Sequence, residues 1–314
     1  MRIFKGFENI TSIPNAVLTI GTFDGVHIGH QKILQQLNEE ATKIGGESVL
    51  FTFYPHPRMV LFPENHGLKL LQTQDEKRDK LKRFGLQNII VQPFTLDFSN
   101  LTATEFVHLF LIEKLKVKKL VIGHDHQFGK NREGTLEFLK SMALLYDFEV
   151  IEIPAQEIDE VNISSTRIRK AIEEGTIEIA NRYLGETFQL NGRVVKGKQL
   201  GRTIGFPTAN ILIDDTIKII PKNGVYSVAI KNLKGHNYKG MMNIGIRPTI
   251  GESLKQTIEV NIFDFNDDIY DCNISIELIS RIREEQKFES VEQLQAQLKE
   301  DEKNCRSYFT TIHC

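Results

Sequence analysis

Two histidines close a glycine-bearing segment, Gly21-Thr22-Phe23-Asp24-Gly25-Val26-His27-Ile28-Gly29-His30, where the apolar run 17–20 meets an amphipathic helical pattern. A helix N-terminus at that point offers unpaired backbone N–H groups and a positive dipole. Glycines let a phosphate approach the backbone, and His27 and His30 add side-chain donors. The chemistry that suits this segment is nucleotide-phosphate binding, with Gly21, Phe23, Asp24 and Gly29 as further nucleotide-binding candidates. Downstream, Asn162-Ile163-Ser164-Ser165-Thr166-Arg167-Ile168-Arg169 sets hydroxyls at a helix start, followed by two arginines two residues apart. Ser165 or Thr166 can cap that helix, and an arginine can grip a triphosphate.

A second group of chemistry-bearing residues runs from Gly192 to Asn210, with Gly192, Gly197, Gly201 and Gly205 allowing the backbone to wrap a phosphate, beside Arg202. Thr208 and Asn210 then supply two neutral oxygen ligands at i, i+2 spacing for a hard cation such as Mg²⁺. The segment lacks the GK[ST] ending of a P-loop, and the chain has no HRD or DFG kinase signature. Phosphoryl transfer to an alcohol needs a base beside the nucleophilic hydroxyl, and Glu259 is a carboxylate inside the alternating strand Thr257-Ile258-Glu259-Val260-Asn261.

Each of these residues also has an ordinary structural explanation. Arg167 and Arg169 suit a solvated helix face, and His56 between Pro55 and Pro57 suits a rigid turn. The glycine-rich stretch suits a surface hairpin, Glu259 a solvent-facing strand position, and Asn243 and Arg247 a turn about Gly245 and Pro248. Context separates the two explanations.

The elements that position these residues change character along the chain. Up to about residue 155, strand-like runs at 17–22, 48–54, 88–93, 119–122 and 149–153 alternate with helical patterns at 30–44, 75–84, 104–115 and 135–146. Alternation of this kind predicts an α/β, Rossmann-like doubly wound parallel sheet, whose ligands lie beyond the C-terminal strand ends. His27, His30, the Pro55-His56-Pro57 turn and the 123–134 loop all emerge on that rim. A helical stretch at 165–184, broken at Gly175, precedes six strand-like runs at 188–195, 210–213, 225–231, 239–244, 257–265 and 273–280. These predict a six-stranded antiparallel β-barrel with a terminal helix at 290–299. The expected domains are 1–184 and 185–314.

Composition narrows the function classes. A length of 314 residues favours two domains at about 100–200 residues each. With 39 basic and 41 acidic residues the net charge is −2, which gives no polyelectrolyte signal for nucleic acid or an anionic membrane. Cys272, Cys305 and Cys314 form neither a disulfide framework nor a CxxC zinc site, and no apolar run approaches the roughly 20 residues of a membrane span. A soluble, unprocessed cytoplasmic protein acting on small molecules is expected, as a monomer or transient homo-oligomer.

The His-x-Gly-His segment resembles the signature of nucleotidylyltransferases, which transfer a nucleoside monophosphate from an NTP and release pyrophosphate. Together, GTFDGVHIGH, TFYPHP at 52–57, GHDHQFGKNREG at 123–134 and ISSTRIR at 163–169 resemble, in order, the FMN adenylyltransferase module of prokaryotic FAD synthetases. The resemblance implies that His27 and His30 bind ATP phosphates with Ser164, Ser165 and Thr166 nearby, and that Arg169 steadies the pyrophosphate. It implies flavin contacts at His56, Pro57 and Asp125. His124 and His126 depart from the family's aromatic residues in that loop.

GFPTANI at 205–211, NGVYSV at 223–228, NIGIRPTIG at 243–251 and the Glu259 strand similarly resemble the riboflavin kinase module. That resemblance implies Thr208 and Asn210 as Mg²⁺ ligands, Glu259 as base on the riboflavin 5′-hydroxyl, and flavin contacts at Asn243 and Arg283. The implied function is FAD synthesis: riboflavin and ATP give FMN, then FMN and ATP give FAD, with no nucleic-acid or membrane partner. The alternatives are an FMN adenylyltransferase with a silent kinase barrel and a non-catalytic flavin-sensing regulator.

Overall fold

The computed structural model describes all residues except 9, 11, 65–66, 124–125, 155–162, 198, 248–254 and 312–314. It divides into two compact units, Met1–Ser165 and Thr166–Cys314. His124, Asp125 and Lys198 lie outside the described residues.

In the first unit, strands β1 (Arg2–Lys5), β2 (Val17–Ile20), β3 (Ser48–Tyr54), β4 (Asn88–Pro93), β5 (Lys119–Gly123) and β6 (Glu149–Ile153) form one parallel sheet in the order β1-β4-β3-β2-β5-β6. Burial on both faces explains why the central strands β2 and β3 read as largely apolar runs. Leu18, Val49 and Phe51 enter one core with Phe106, Leu111 and Leu139, whereas Val17 and Leu50 enter another with Leu34, Leu37 and Leu81. Helix Ile28–Lys43 lies on the second face, and Glu40 ties it to β5 through Lys119 Nζ at 2.7 Å. That ion pair and a hydrogen bond from Lys43 hold the Glu40 carboxyl below its usual range.

Two features of this unit differ from the sequence expectation. Arg2–Lys5 adds a sixth strand at the sheet edge, paired with β4. The helix expected at 104–115 is α-helical only over Ala103–Phe106 and continues as a π-helix over Val107–Lys114, with Leu115 N–H donating to Phe110 O at 3.1 Å. The wider turn keeps Phe106, Val107, Phe110 and Leu111 together against the aromatic cluster around Phe51.

In the second unit, helices Ser165–Glu174 and Ile177–Leu184 meet at Gly175, whose φ of 80° suits a residue without a Cβ. Strands β7 (Phe188–Val195), β8 (Ala209–Leu212), β9 (Gly224–Leu233), β10 (His236–Arg247), β11 (Lys255–Ile262) and β12 (Asn273–Arg283) close an antiparallel barrel in the order β10-β11-β8-β7-β12-β9. The terminal helix runs over Val291–Thr311, longer than its amphipathic start at 290–299 suggested. Its Leu298 and Cys305 pack on Phe206, Val225, Met241 and Phe263.

Candidate active sites

Between β2 and helix Ile28–Lys43, the backbone makes a tight turn in which Phe23, Gly25 and Val26 have φ of 49°, 85° and 39°. Left-handed conformations at Phe23 and the β-branched Val26 cost about 1–3 kcal/mol each and are typical of backbone held for function. The turn is anchored on several sides. Asp24, 5% exposed, accepts Leu71 N–H on both carboxylate oxygens at 3.0 and 3.1 Å, and Ser165 Oγ donates to Asp24 O at 2.9 Å.

His27 is the N-cap of the helix, its Nδ1 accepting His30 N–H at 3.4 Å. A neutral His27 with Nδ1 as acceptor carries its proton on Nε2. The His27 and His30 rings stack with centroids 3.7 Å apart, and Phe23 stacks on the other face of His30 at 4.4 Å. His30 Nδ1 is buried and makes no hydrogen bond. Burial first, then the neighbouring His27, Lys80 and Lys77, hold the His30 pKa well below 6.5, so the ring is neutral at pH 7.

Sequence reasoning missed two residues here. Helix Gln74–Arg83, a nearly all-polar segment, turns Lys77 and Lys80 inward with Leu81. Lys80 is 0% exposed and donates to Gly25 O at 3.1 Å, while Lys77 donates to Thr22 O at 3.2 Å and to Thr52 Oγ1 at 3.4 Å. Desolvation lowers the Lys77 pKa to about 8 against the opposing pull of Asp24. The signal was present as an i, i+3, i+4 triplet, Lys77, Lys80 and Leu81, but lysine at core positions does not register as an apolar stripe.

The other expected residues of this constellation are placed as follows. His56 caps the short helix Pro57–Leu61, its Nδ1 accepting Arg58 N–H at 3.1 Å. Gly21 and Gly29 lie in the same turn and helix start as the histidines. Ser164 precedes helix Ser165–Glu174, which carries Thr166 and Arg169 in the second unit.

On the barrel, pairing across three strands sets Asn243 opposite Glu259 and Glu259 opposite Asn210. All three are half-buried, whereas Ile258 and Val260 on either side of Glu259 are buried on the opposite face. Thr208 Oγ1 donates to Glu259 Oε2 at 3.1 Å, and Asn261 Nδ2 fixes the turn before it by donating to Pro207 O at 2.7 Å. The glycine segment folds over this row. A Cβ on Gly197 would lie 2.1 Å from Asn210 Nδ2, and one on Gly201 would lie 2.2 Å from Phe206 O. Gly205 has φ of 82°.

A cavity of about 300 Å³ meets this site at Thr208, on the side that Val260 lines, with Arg202, Phe265, Asp267 and Tyr270 among its other walls. The 265–270 wall of this cavity was not singled out from the sequence. Apolar Val260 and Phe265 beside polar Thr208 and Arg202 suit a ligand with a flat apolar part and a charged tail. Arg283 is engaged elsewhere: its Nε and Nη2 donate to Asp301 Oδ1 and Oδ2 at 2.9 and 2.7 Å, and Asp301 is fully buried.

Comparison with known proteins assigns both units. The family model for FAD synthetase matches residues 10–167, and that for riboflavin kinase matches residues 184–309. Curated proteins named bifunctional riboflavin kinase/FMN adenylyltransferase include one from Buchnera aphidicola, 36% identical over 100% of this chain and 99% of that protein. Another, from Escherichia coli K12, is 37% identical over 98% of each, and one from Listeria monocytogenes is 39% identical over 95% of this chain and 94% of its own. A crystal structure of a Streptococcus pneumoniae protein named as macrolide-efflux protein matches with a TM-score of 0.88 at 37% identity, covering 97% of this chain and 98% of that one. Among the described residues of this chain, no helix is long and apolar enough to cross a membrane.

Proposed function

The chain belongs to the bifunctional riboflavin kinase/FMN adenylyltransferase family, and from that premise we propose how its residues divide the work. The second unit phosphorylates riboflavin with ATP to FMN, and the first adenylylates FMN with ATP to FAD and pyrophosphate. The observation that carries the two-site assignment is the pair of preorganised clusters, Phe23–His30–His27 in one unit and Asn210–Glu259–Asn243 in the other.

In the adenylylation site, the FMN phosphate is already ionised and needs no base to attack the α-phosphorus of ATP. Catalysis is therefore positioning and charge stabilisation. His27, with its proton on Nε2, and neutral His30 donate N–H groups to phosphate oxygens at the helix N-terminus. Gly21, Phe23, Asp24 and Gly29 shape the nucleotide contact, Ser164, Ser165 and Thr166 lie along the triphosphate, and Arg169 steadies the leaving pyrophosphate. His56, Pro57 and Asp125 contact the flavin in this assignment.

In the kinase site, Glu259 accepts the proton of the riboflavin 5′-hydroxyl as that oxygen attacks the γ-phosphorus of ATP. Its present hydrogen bond from Thr208 holds the carboxylate in place. Gly197, Gly201, Arg202 and Gly205 wrap the phosphates, and the adjoining cavity receives the adenosine. The Thr208 hydroxyl and Asn210 carboxamide beside a carboxylate form an oxygen donor set that fits Mg²⁺. When bound, Mg²⁺ neutralises charge on the transferring phosphate. Asn243, in register with Glu259, and Arg283, held by Asp301, contact the flavin in this assignment. We place both reactions in the cytoplasm, where ATP is available and unpaired thiols stay reduced, in a monomer or transient homo-oligomer with domains bounded near 184/185.

A silent kinase barrel and a flavin-sensing regulator are the rivals. Incubation of the purified chain with riboflavin, ATP and Mg²⁺, followed by chromatography, separates the three: FMN and then FAD accumulate if both sites work. FAD formed only from supplied FMN would identify a silent barrel, and flavin binding without turnover would identify a regulator.

A further inference from the structure

We propose that Lys77 and Lys80 are positioning residues for adenylyl transfer, holding the phosphate-binding turn from beneath and placing buried positive charge against it. The inference rests on the assignment of His27 and His30 to that reaction. A lysine without solvent contact needs a partner for its ammonium. Lys80 Nζ finds one in Gly25 O and Lys77 Nζ in Thr22 O, so both carbonyls belong to the segment that contains the left-handed residues Phe23, Gly25 and Val26. Their stems leave one helix face three residues apart and reach two points of the same turn. An aliphatic residue at position 80 fills the space but takes the ammonium from Gly25 O, and one at position 77 leaves Thr22 O held by the Thr52 hydroxyl alone, at 3.3 Å.

The two ammoniums also set the electrostatics of the turn. Asp24 of the turn draws the Lys77 ammonium from one side, β3 contributes the neutral Thr52 hydroxyl, and His30 feels Lys77 and Lys80 together with His27. Both lysines oppose protonation of His30, which keeps a neutral donor rather than a fixed cation in the stack. A triphosphate arriving there meets two cations within the protein that do not have to be gathered from solvent. Because Lys77 titrates near pH 8, its contribution is present below that pH and is lost above it.

The test uses the full chain, measuring FAD formation from FMN and, in the same preparations, FMN formation from riboflavin. Lys80→Met lowers kcat/KM for ATP in adenylylation at least tenfold and leaves riboflavin phosphorylation within twofold. Lys77→Arg, which cannot lose its charge in this range, retains activity at pH 7 and removes the alkaline fall of the adenylylation rate near pH 8. Lys77→Met gives a low rate without that fall. A merely structural role would shift the melting temperature of the variants without altering the pH profile. Adenylylation within twofold of the parent in both Met variants, or an alkaline limb unchanged in Lys77→Arg, overturns the proposal. If His30→Ala retains FAD synthesis, the underlying site assignment fails instead.

Discussion

Replacing Asp301 by alanine tests whether the terminal helix holds the kinase unit together. Asp301 is 0% exposed and receives Arg283 Nε at 2.9 Å, Arg283 Nη2 at 2.7 Å and Gln297 Nε2 at 2.9 Å. Removing one partner of a buried ion pair leaves the other charge uncompensated, which costs about 3–5 kcal/mol. For a unit of roughly 150 residues, each kcal/mol lowers the midpoint by about 2–4 °C, so Asp301→Ala lowers the melting temperature of the second unit by about 6–20 °C. Asp301→Asn keeps an acceptor oxygen and loses the charge, for a smaller cost of about 1.5–3 kcal/mol. The loss should extend to turnover, because the same helix donates from Gln295 Nε2 to Ile204 O at 3.2 Å and packs on Phe206, both beside the glycine segment. Thermal unfolding followed by circular dichroism, with riboflavin phosphorylation measured at each temperature, reads both effects. A midpoint for Asp301→Ala within about 2 °C of the parent would refute the reasoning, since it would mean the buried pair contributes almost nothing.

Three further perturbations test separate parts of the account. Gly197→Ala places a methyl against the Asn210 carboxamide and should raise the Mg²⁺ concentration for half-maximal riboflavin phosphorylation severalfold, with FAD formation from FMN unchanged, as read by magnesium titration of each reaction. Glu40→Gln removes a carboxylate whose folded pKa lies below its unfolded value. Such a group stabilises above its unfolded pKa and loses that contribution as pH falls through the folded one, so the variant should be less stable at pH 7 by about 1–3 kcal/mol and converge on the parent under acid in urea titrations. His27→Ala should lower the stability of the first unit by only about 1 kcal/mol, the usual worth of an N-cap, while reducing FAD formation at least a hundredfold, which activity and denaturation measured together will separate.

The parallel sheet was legible because strands buried on both faces are largely apolar, as Val17, Leu18 and Ile20 show around the buried Thr19. The barrel was legible from its alternation, as in Ile258, Glu259 and Val260. The edge strand Arg2–Lys5 was not, because only Phe4 of its four residues is buried. The π-helix escaped for a different reason: Phe106, Val107, Phe110 and Leu111 are as apolar as an α-helical face, and the wider turn is chosen by packing around Phe51 rather than by local preference.

At the sites, His27, His30, Thr208, Asn210 and Glu259 carried signals in residue type and spacing. Lys77 and Lys80 carried only a spacing shared with Leu81, which does not mark a buried lysine, because such a lysine is defined by what its ammonium reaches, here carbonyls some fifty residues away in sequence. Arg283 was expected at the flavin from the resemblance to the riboflavin kinase module. Its ion pair to Asp301 depends on the terminal helix returning to the barrel, which spacing does not encode.

The central claim is that one chain carries two independent sites, and reciprocal loss measures it most directly. Each variant is incubated first with riboflavin and ATP and then with FMN and ATP, and products are quantified by chromatography. His30→Ala should form FMN at the parental rate and no FAD, whereas Glu259→Ala should form no FMN yet convert supplied FMN to FAD normally. Loss of both activities from either substitution, or retention of both, would contradict the account.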